Sequence, residues 1–242
     1  MKNTTKWDLV DLICPHTCRG CGELGAVLCE RCKKYILDEH VEICPICKKI
    51  VAETKESVQK VRMVNLEGEN KFCEGCDSPF EMCWVVGWRE GALAKVIKDF
   101  KYQSVRAAGG VLAELVDMVL PRDFSDMTVV PLPTIGRHVR ERGLDHTKIL
   151  AKKLAKMRNW RVDMALARAT DTVQVGTNAV KRKSQADSTY DVVKKLDPEG
   201  RYLLIDDIWT TGATMQKAAK RMREAGAKKI YGVVLAIGRP GE

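Results

Sequence analysis

The chain has 242 residues, with 41 Lys and Arg against 32 Asp and Glu for a formal charge of +9. Its 45% hydrophobic and 30% charged residues can form a packed core, which excludes a wholly disordered chain, and the length suits one or two domains. The longest apolar runs, such as 231–237, fall far short of the ~20 residues of a membrane span. The N-terminal MKNTTKWDLVDLICPH carries Asp8 and Asp11 where a signal peptide needs an apolar centre. A cytoplasmic protein without a membrane span is expected.

In chain order, the first feature is cysteine. All ten (Cys14, Cys18, Cys21, Cys29, Cys32, Cys44, Cys47, Cys73, Cys76 and Cys83) precede Trp84, which places a domain boundary there: 1–83 and 84–242. Eight form C-x-x-C pairs: Cys18/Cys21, Cys29/Cys32, Cys44/Cys47 and Cys73/Cys76. Two intervening residues let both thiolates of a tight turn reach one metal ion, and two such knuckles complete a tetrahedral Cys₄ zinc site. Four knuckles predict two Zn²⁺ ions, and closed sites of this kind hold structure rather than catalyse. Sequential pairing is simplest; interleaving is the alternative, as is Cys14 in place of Cys18. A disulfide framework conflicts with the expected reducing compartment, and a redox role for one pair does not explain four. Cys83, beside Trp84, Val85 and Val86, reads as a small buried hydrophobe. The charged stretch 48–72 carries no functional signal.

After residue 84 strands and helices alternate. WVVGW (84–88) predicts a strand; Leu93, Val96, Ile97 and Phe100 repeat at helical spacing, as do Val111, Leu112, Leu115, Val116 and Val119. Residues 129–133 (VVPLP) predict a short buried strand stopped by proline, and Leu150, Leu154 and Met157 a helix. A strand at 202–205, a helix from Ala213 to a stop at Gly226 and a final strand at 230–237 complete the series. The pattern predicts an α/β domain with a mostly parallel sheet covered by helices, whose ligands sit at the carboxyl ends of strands.

One segment, LLIDDIWTTGAT (203–214), places chemistry at such an end. A buried strand runs into Asp206 and Asp207, then a hydroxyl-rich turn with Gly212, then a helix. Free backbone N–H groups and the helix dipole make that turn an anion site. Carboxylates repel a phosphate and suit sugar hydroxyls or a metal. Phosphate beside a vicinal diol describes a ribose 5-phosphate.

This stretch resembles the phosphoribosyl pyrophosphate (PRPP) loop of type I phosphoribosyltransferases. The whole chain resembles the ComF/GntX family, which joins an N-terminal double zinc ribbon to a Rossmann-like type I phosphoribosyltransferase domain and is associated with DNA uptake in natural competence. The likeness runs through the four knuckles, Lys101-Tyr102, VVPLP (129–133), RERG (140–143), a mobile-loop-like stretch from Gln174 to Arg182, and IDDIWTTGAT. It implies that Asp206 and Asp207 contact the ribose 2′ and 3′ hydroxyls, and that Thr210, Thr211, Gly212, Ala213 and Thr214 cradle the 5-phosphate. It implies that Pro131, Leu132, Pro133 and Thr134 lie at the pyrophosphate, with Mg²⁺ bridging it to the sugar and Lys101 nearby. Arg182 and Arg137 are the catalytic candidates, cations that would stabilise the departing pyrophosphate. Two departures stand out: Leu144-Asp145-His146 follows Arg142-Gly143 where the family commonly reads RGFNQ, and Gln185-Ala186 lies where an asparagine is usual. His146 is expected at the surface.

The leading expectation is a ComF-like factor that binds PRPP or a related ribose 5-phosphate and single-stranded DNA, with a competence helicase as a further partner. The alternatives are a phosphoribosyltransferase acting on a small-molecule acceptor in nucleotide or salvage metabolism, and a zinc-ribbon scaffold sensing ribose phosphates. Residues 137–183 hold thirteen Lys and Arg against four Asp and Glu. Lys152, Lys153 and Lys156 are the candidate DNA-backbone contacts, and Trp209 either stacks on a base or packs on its own domain.

Overall fold

The computed structural model describes residues 16–38, 42–43, 50–52, 78–102, 105–136, 139–140, 143–168 and 190–239. In chain order the elements are α1 (Glu30–Asp38), β1 (Glu42–Ile43), β2 (Ile50–Ala52), β3 (Met82–Trp88), α2 (Gly91–Tyr102), α3 (Val105–Val119) and β4 (Met127–Pro131). They continue with α4 (His146–Arg158), β5 (Arg161–Val162), β6 (Leu166–Arg168), β7 (Tyr190–Val192), β8 (Arg201–Trp209), α5 (Ala213–Glu224) and β9 (Lys229–Ile237).

Five strands form one parallel sheet in the order β3-β9-β8-β4-β5. The central β8 and β9 each run nine residues, apolar on both faces because helices cover both sides. One face carries Trp84, Val86, Val129, Leu203, Ile205, Val233 and Leu235 against α2, α3 and α4. The other carries Val85, Val130, Leu204, Ile230 and Val234 against α5 and the antiparallel pair β6–β7. The α/β class is present: the strands expected at 84–88, 129–133, 202–205 and 230–237 fall on β3, β4, β8 and β9. The helical spacing at 93–100, 111–119 and 150–157 and the helix expected from Ala213 fall on α2, α3, α4 and α5, with β4 ending at Pro131 and β8 running on to Trp209. The two-residue β5, the β6–β7 pair and α1 carry too little periodicity to be read from sequence.

α1 starts between Cys29 and Cys32, so the second cysteine knuckle opens directly into a helix. The cysteine-rich arm and the sheet share one core. Cys18, Val27, Leu28 and Ile36 cluster with Trp84, Val86, Leu93, Val96 and Ile97. Gly87 of β3 is small for this reason: a Cβ there would lie 3.3 Å from both Ile36 and Leu93. β3 begins at Met82, two residues before the composition changes. No helix among the described residues is long and apolar enough to cross a membrane.

Candidate functional site and metal centre

The sulfur atoms of Cys18, Cys21, Cys29 and Cys32 lie within 4.8 Å of one another. The first two knuckles therefore pair with each other, with Cys18 as the first donor. Burial alone would push the Cys18 thiol up, but the amides of Cys21, Cys29 and Gly20 bring it down to about 6. Burial and the neighbouring sulfurs push Cys32 up to about 12. Four thiol sulfurs this close together form a Cys₄ donor set that fits one zinc ion. The expected ligands Cys44, Cys47, Cys73 and Cys76, and Cys14, lie outside the described residues.

At the carboxyl end of β8, Leu203 and Ile205 face the α2–α3–α4 side and Leu204 the other, as strand alternation requires. Beyond the acids, Ile208 packs on the first side and Trp209 on the second, one residue out of phase. Asp206 and Asp207 occupy that slip. Lys101, from the last turn of α2, places Nζ 2.6 Å from Asp207 Oδ2, with both side chains under 20% exposed. Asp206 Oδ1 accepts the amide of Asp207 at 2.8 Å. Burial, then the charge of Asp207, raises the Asp206 carboxyl to about 8, against the opposing pull of Lys101 and Arg168. Near neutral pH Asp206 therefore keeps its proton beside the Lys101–Asp207 ion pair.

The turn that follows exposes Thr210, Thr211 and Ala213, half-buries Thr214 and buries Gly212. Gly212 caps α5 with φ 76° and ψ −10°, the left-handed region that glycine tolerates. It makes no side-chain cap, and the first turn of α5 carries no acid, so the amino end of the helix keeps its affinity for anions. The glycine has a second reason. A Cβ there would sit 2.3 Å from Nε1 of Trp209, so its smallness makes room for the indole below the turn rather than for a phosphate above it.

The loop after β4 lies alongside. The Leu132 amide donates to the Ile205 carbonyl at 2.9 Å, and the Thr147 hydroxyl lies 2.8 Å from the Leu132 carbonyl. Asp145 caps α4 by accepting the Lys148 amide at 3.2 Å, and its Oδ1 is 3.1 Å from the Thr134 hydroxyl. Asp145 and Thr147 thus tie Thr134 and Leu132 of this loop to the start of α4. His146 is not at the surface: it is 2% exposed and meets Phe100 edge-on, with centroids 5.1 Å apart. Its place in the first turn of α4, against α2, explains the difference.

Sequence reasoning missed Arg168. From β6 it donates through Nε to the Pro133 carbonyl at 3.2 Å and through Nη2 to the Tyr190 hydroxyl at 3.2 Å, its guanidinium 5.2 Å from the Tyr190 ring centre. No sequence motif marks it, because its partners come from β7 and the β4 loop. Arg137 and Arg182 lie outside the described residues, as does the 174–182 stretch.

Of the four DNA candidates, Lys152 and Lys156 are exposed on α4. Lys153 is half-buried, and its stem crosses α3: a Cβ on Gly109 would meet its Cε at 3.2 Å. Of the two alternatives for Trp209, packing on its own domain is the arrangement found. The indole is 2% exposed, tilted against Phe80 with centroids 6.3 Å apart, and presents no free face to a base.

No protein-family model matches the chain, and no curated protein does. Two solved structures that match share 16% and 15% identity with it. The first is described as the allosteric regulatory enzyme of purine biosynthesis and aligns with a TM-score of 0.41. The second is glutamine PRPP amidotransferase from B. subtilis complexed with ADP and GMP, with a TM-score of 0.40. Each alignment covers 57% of this chain and only 30% of the solved one.

Proposed function

We propose that the sheet domain binds PRPP, or a related ribose 5-phosphate, across the carboxyl ends of β8 and β4, and performs phosphoribosyl-transfer chemistry. One observation carries this reading: a strand ending in two crowded acids leads through a short turn to a helix whose cap residue, Gly212, has no side chain and whose first turn carries no acid, the Ala213 amide meeting the Thr211 hydroxyl at 3.3 Å. The acids take the ribose 2′ and 3′ hydroxyls as donors. The backbone and hydroxyls of Thr210, Thr211, Gly212, Ala213 and Thr214 take the 5-phosphate, and the loop at Pro131, Leu132, Pro133 and Thr134 takes the pyrophosphate. Lys101 pairs with Asp207. Bound Mg²⁺ would neutralise charge on the pyrophosphate. Arg182 and Arg137 remain the proposed cations for that leaving group.

The ComF/GntX likeness adds a DNA-uptake reading, in which Lys152 and Lys156 contact a single-strand backbone and a competence helicase is a partner. Their exposure on one helix favours it, and the burial of Trp209 removes base stacking from it. The small-molecule transferase is the rival. Incubating the protein with labelled PRPP, Mg²⁺ and a panel of nucleobases and amines distinguishes them. Transfer of label to a base or amine establishes the small-molecule enzyme. Binding of PRPP without transfer, together with salt-sensitive binding of single-stranded DNA, supports the DNA reading. No PRPP binding at all overturns the proposal.

A further inference from the structure

The cysteine knuckle and the acid pair are joined by a single helix. Arg19, between the zinc-ligand candidates Cys18 and Cys21, donates its Nε to Asp99 of α2, 80 residues away in sequence. Asp99 is 8% exposed, a buried acid that Arg19 pairs. Two residues on, about 200° around the helix at ~100° per residue, Lys101 grips Asp207 at 2.6 Å. α2 is thus held by ion pairs on opposite faces, one from the knuckle and one from the site. Steric contact reinforces the first: a Cβ on Gly20 would lie 2.5 Å from Cys32 Sγ and 3.3 Å from Ala92 Cβ, so knuckle and helix touch there too. The knuckle's own backbone fixes Arg19, whose amide donates to the Val27 carbonyl at 3.0 Å.

We infer that Arg19 is a positioning residue for the acid pair: through Asp99 and α2 it sets Lys101 against Asp207, so that affinity for ribose phosphate depends on an intact Cys₄ knuckle. Metal occupancy in the arm then controls the chemistry at the end of β8, although no zinc ligand lies in that site. This inference rests on the proposed ribose-phosphate reading.

The test is a double-mutant cycle in the full-length, zinc-loaded protein, with PRPP affinity measured by calorimetry and zinc content measured on each variant. Arg19→Met, which keeps the aliphatic stem, is expected to retain zinc and weaken PRPP binding roughly tenfold, and Lys101→Met to weaken it at least as much. The double variant is expected to bind no more weakly than Lys101→Met alone, and Arg19→Lys to recover most of the affinity. Losses that multiply in the double variant, or wild-type affinity in zinc-loaded Arg19→Met, would overturn the inference. If Arg19→Met loses zinc, Asp99→Asn, which leaves the knuckle residues intact, takes its place under the same outcomes. Should the wild type not bind PRPP, the functional reading fails and the link is read without ligand. Amide exchange at 99–102 must then be faster in zinc-loaded Arg19→Met than in the wild type, and unchanged exchange overturns the link.

Discussion

Among the described residues, Asp206 is a carboxyl held far from its ordinary value. Burial and the charge of Asp207 raise its carboxyl to about 8, whereas in an unfolded chain it releases its proton near pH ~4. The folded state therefore holds the extra proton between those values, and stability falls as pH rises from about 4 to about 8. Asp206→Asn removes that penalty. Its melting temperature should gain on the wild type through this window, and parallel curves would contradict the assignment. Sugar hydroxyls prefer the ionised acceptor, so wild-type PRPP affinity should rise from about pH 6.5 to 8.5, by at most about tenfold per pH unit. Asp206→Asn should bind weakly with a flat profile. Asp206, Asp207 and Lys101 were legible as a motif and as a lysine at a helix end. Arg168, Tyr190 and Asp145 were not, because each takes its meaning from residues 11 to 35 positions away. His146 was misread because amphipathic spacing says little about a helix's first turn, where α2 happens to cover it.

At the scale of elements, the working unit is β8, the turn and α5. The acids sit where the strand's alternation slips, and Gly212 turns the chain over Trp209 into the helix. Gly212→Ala meets both a positive φ, which costs about 1–2 kcal/mol for an L-residue, and the indole beneath it. The turn can relieve that clash only by lifting, so chemical denaturation should show a loss of ~2 kcal/mol or more, with weakened PRPP binding. A variant as stable as the wild type would refute this account of the turn. The long helices were readable from their periodicity, and the two central strands from unbroken apolar runs, 202–205 falling short of the nine-residue β8. The β6–β7 pair was not: three residues per strand fix no period, and their pairing joins segments more than 20 residues apart.

Across the whole molecule, composition divides the chain near Trp84, yet packing joins the parts. Leu28 and Ile36 of the arm belong to the core that covers one face of the sheet. Zinc should therefore be present at one ion or more per chain, two if the remaining knuckles pair. Chelation should lower the melting temperature of the entire cooperative unit, not of a separable arm. A sheet transition unmoved by chelation would contradict a shared core. Basic charge, by contrast, is read at the surface. If single-stranded DNA binds through α4, Lys152→Glu with Lys156→Glu should weaken it and flatten its salt dependence; an affinity indifferent to both changes would exclude that face. Lys153 is a poorer probe, because its stem packs on α3. The central claim is the ribose-phosphate site, and calorimetric titration of PRPP into the wild type and the Asp206→Ala/Asp207→Ala variant tests it most directly. Saturable one-to-one binding that the double substitution abolishes, with circular dichroism unchanged, is the predicted result; equal affinity in the two proteins would contradict the claim.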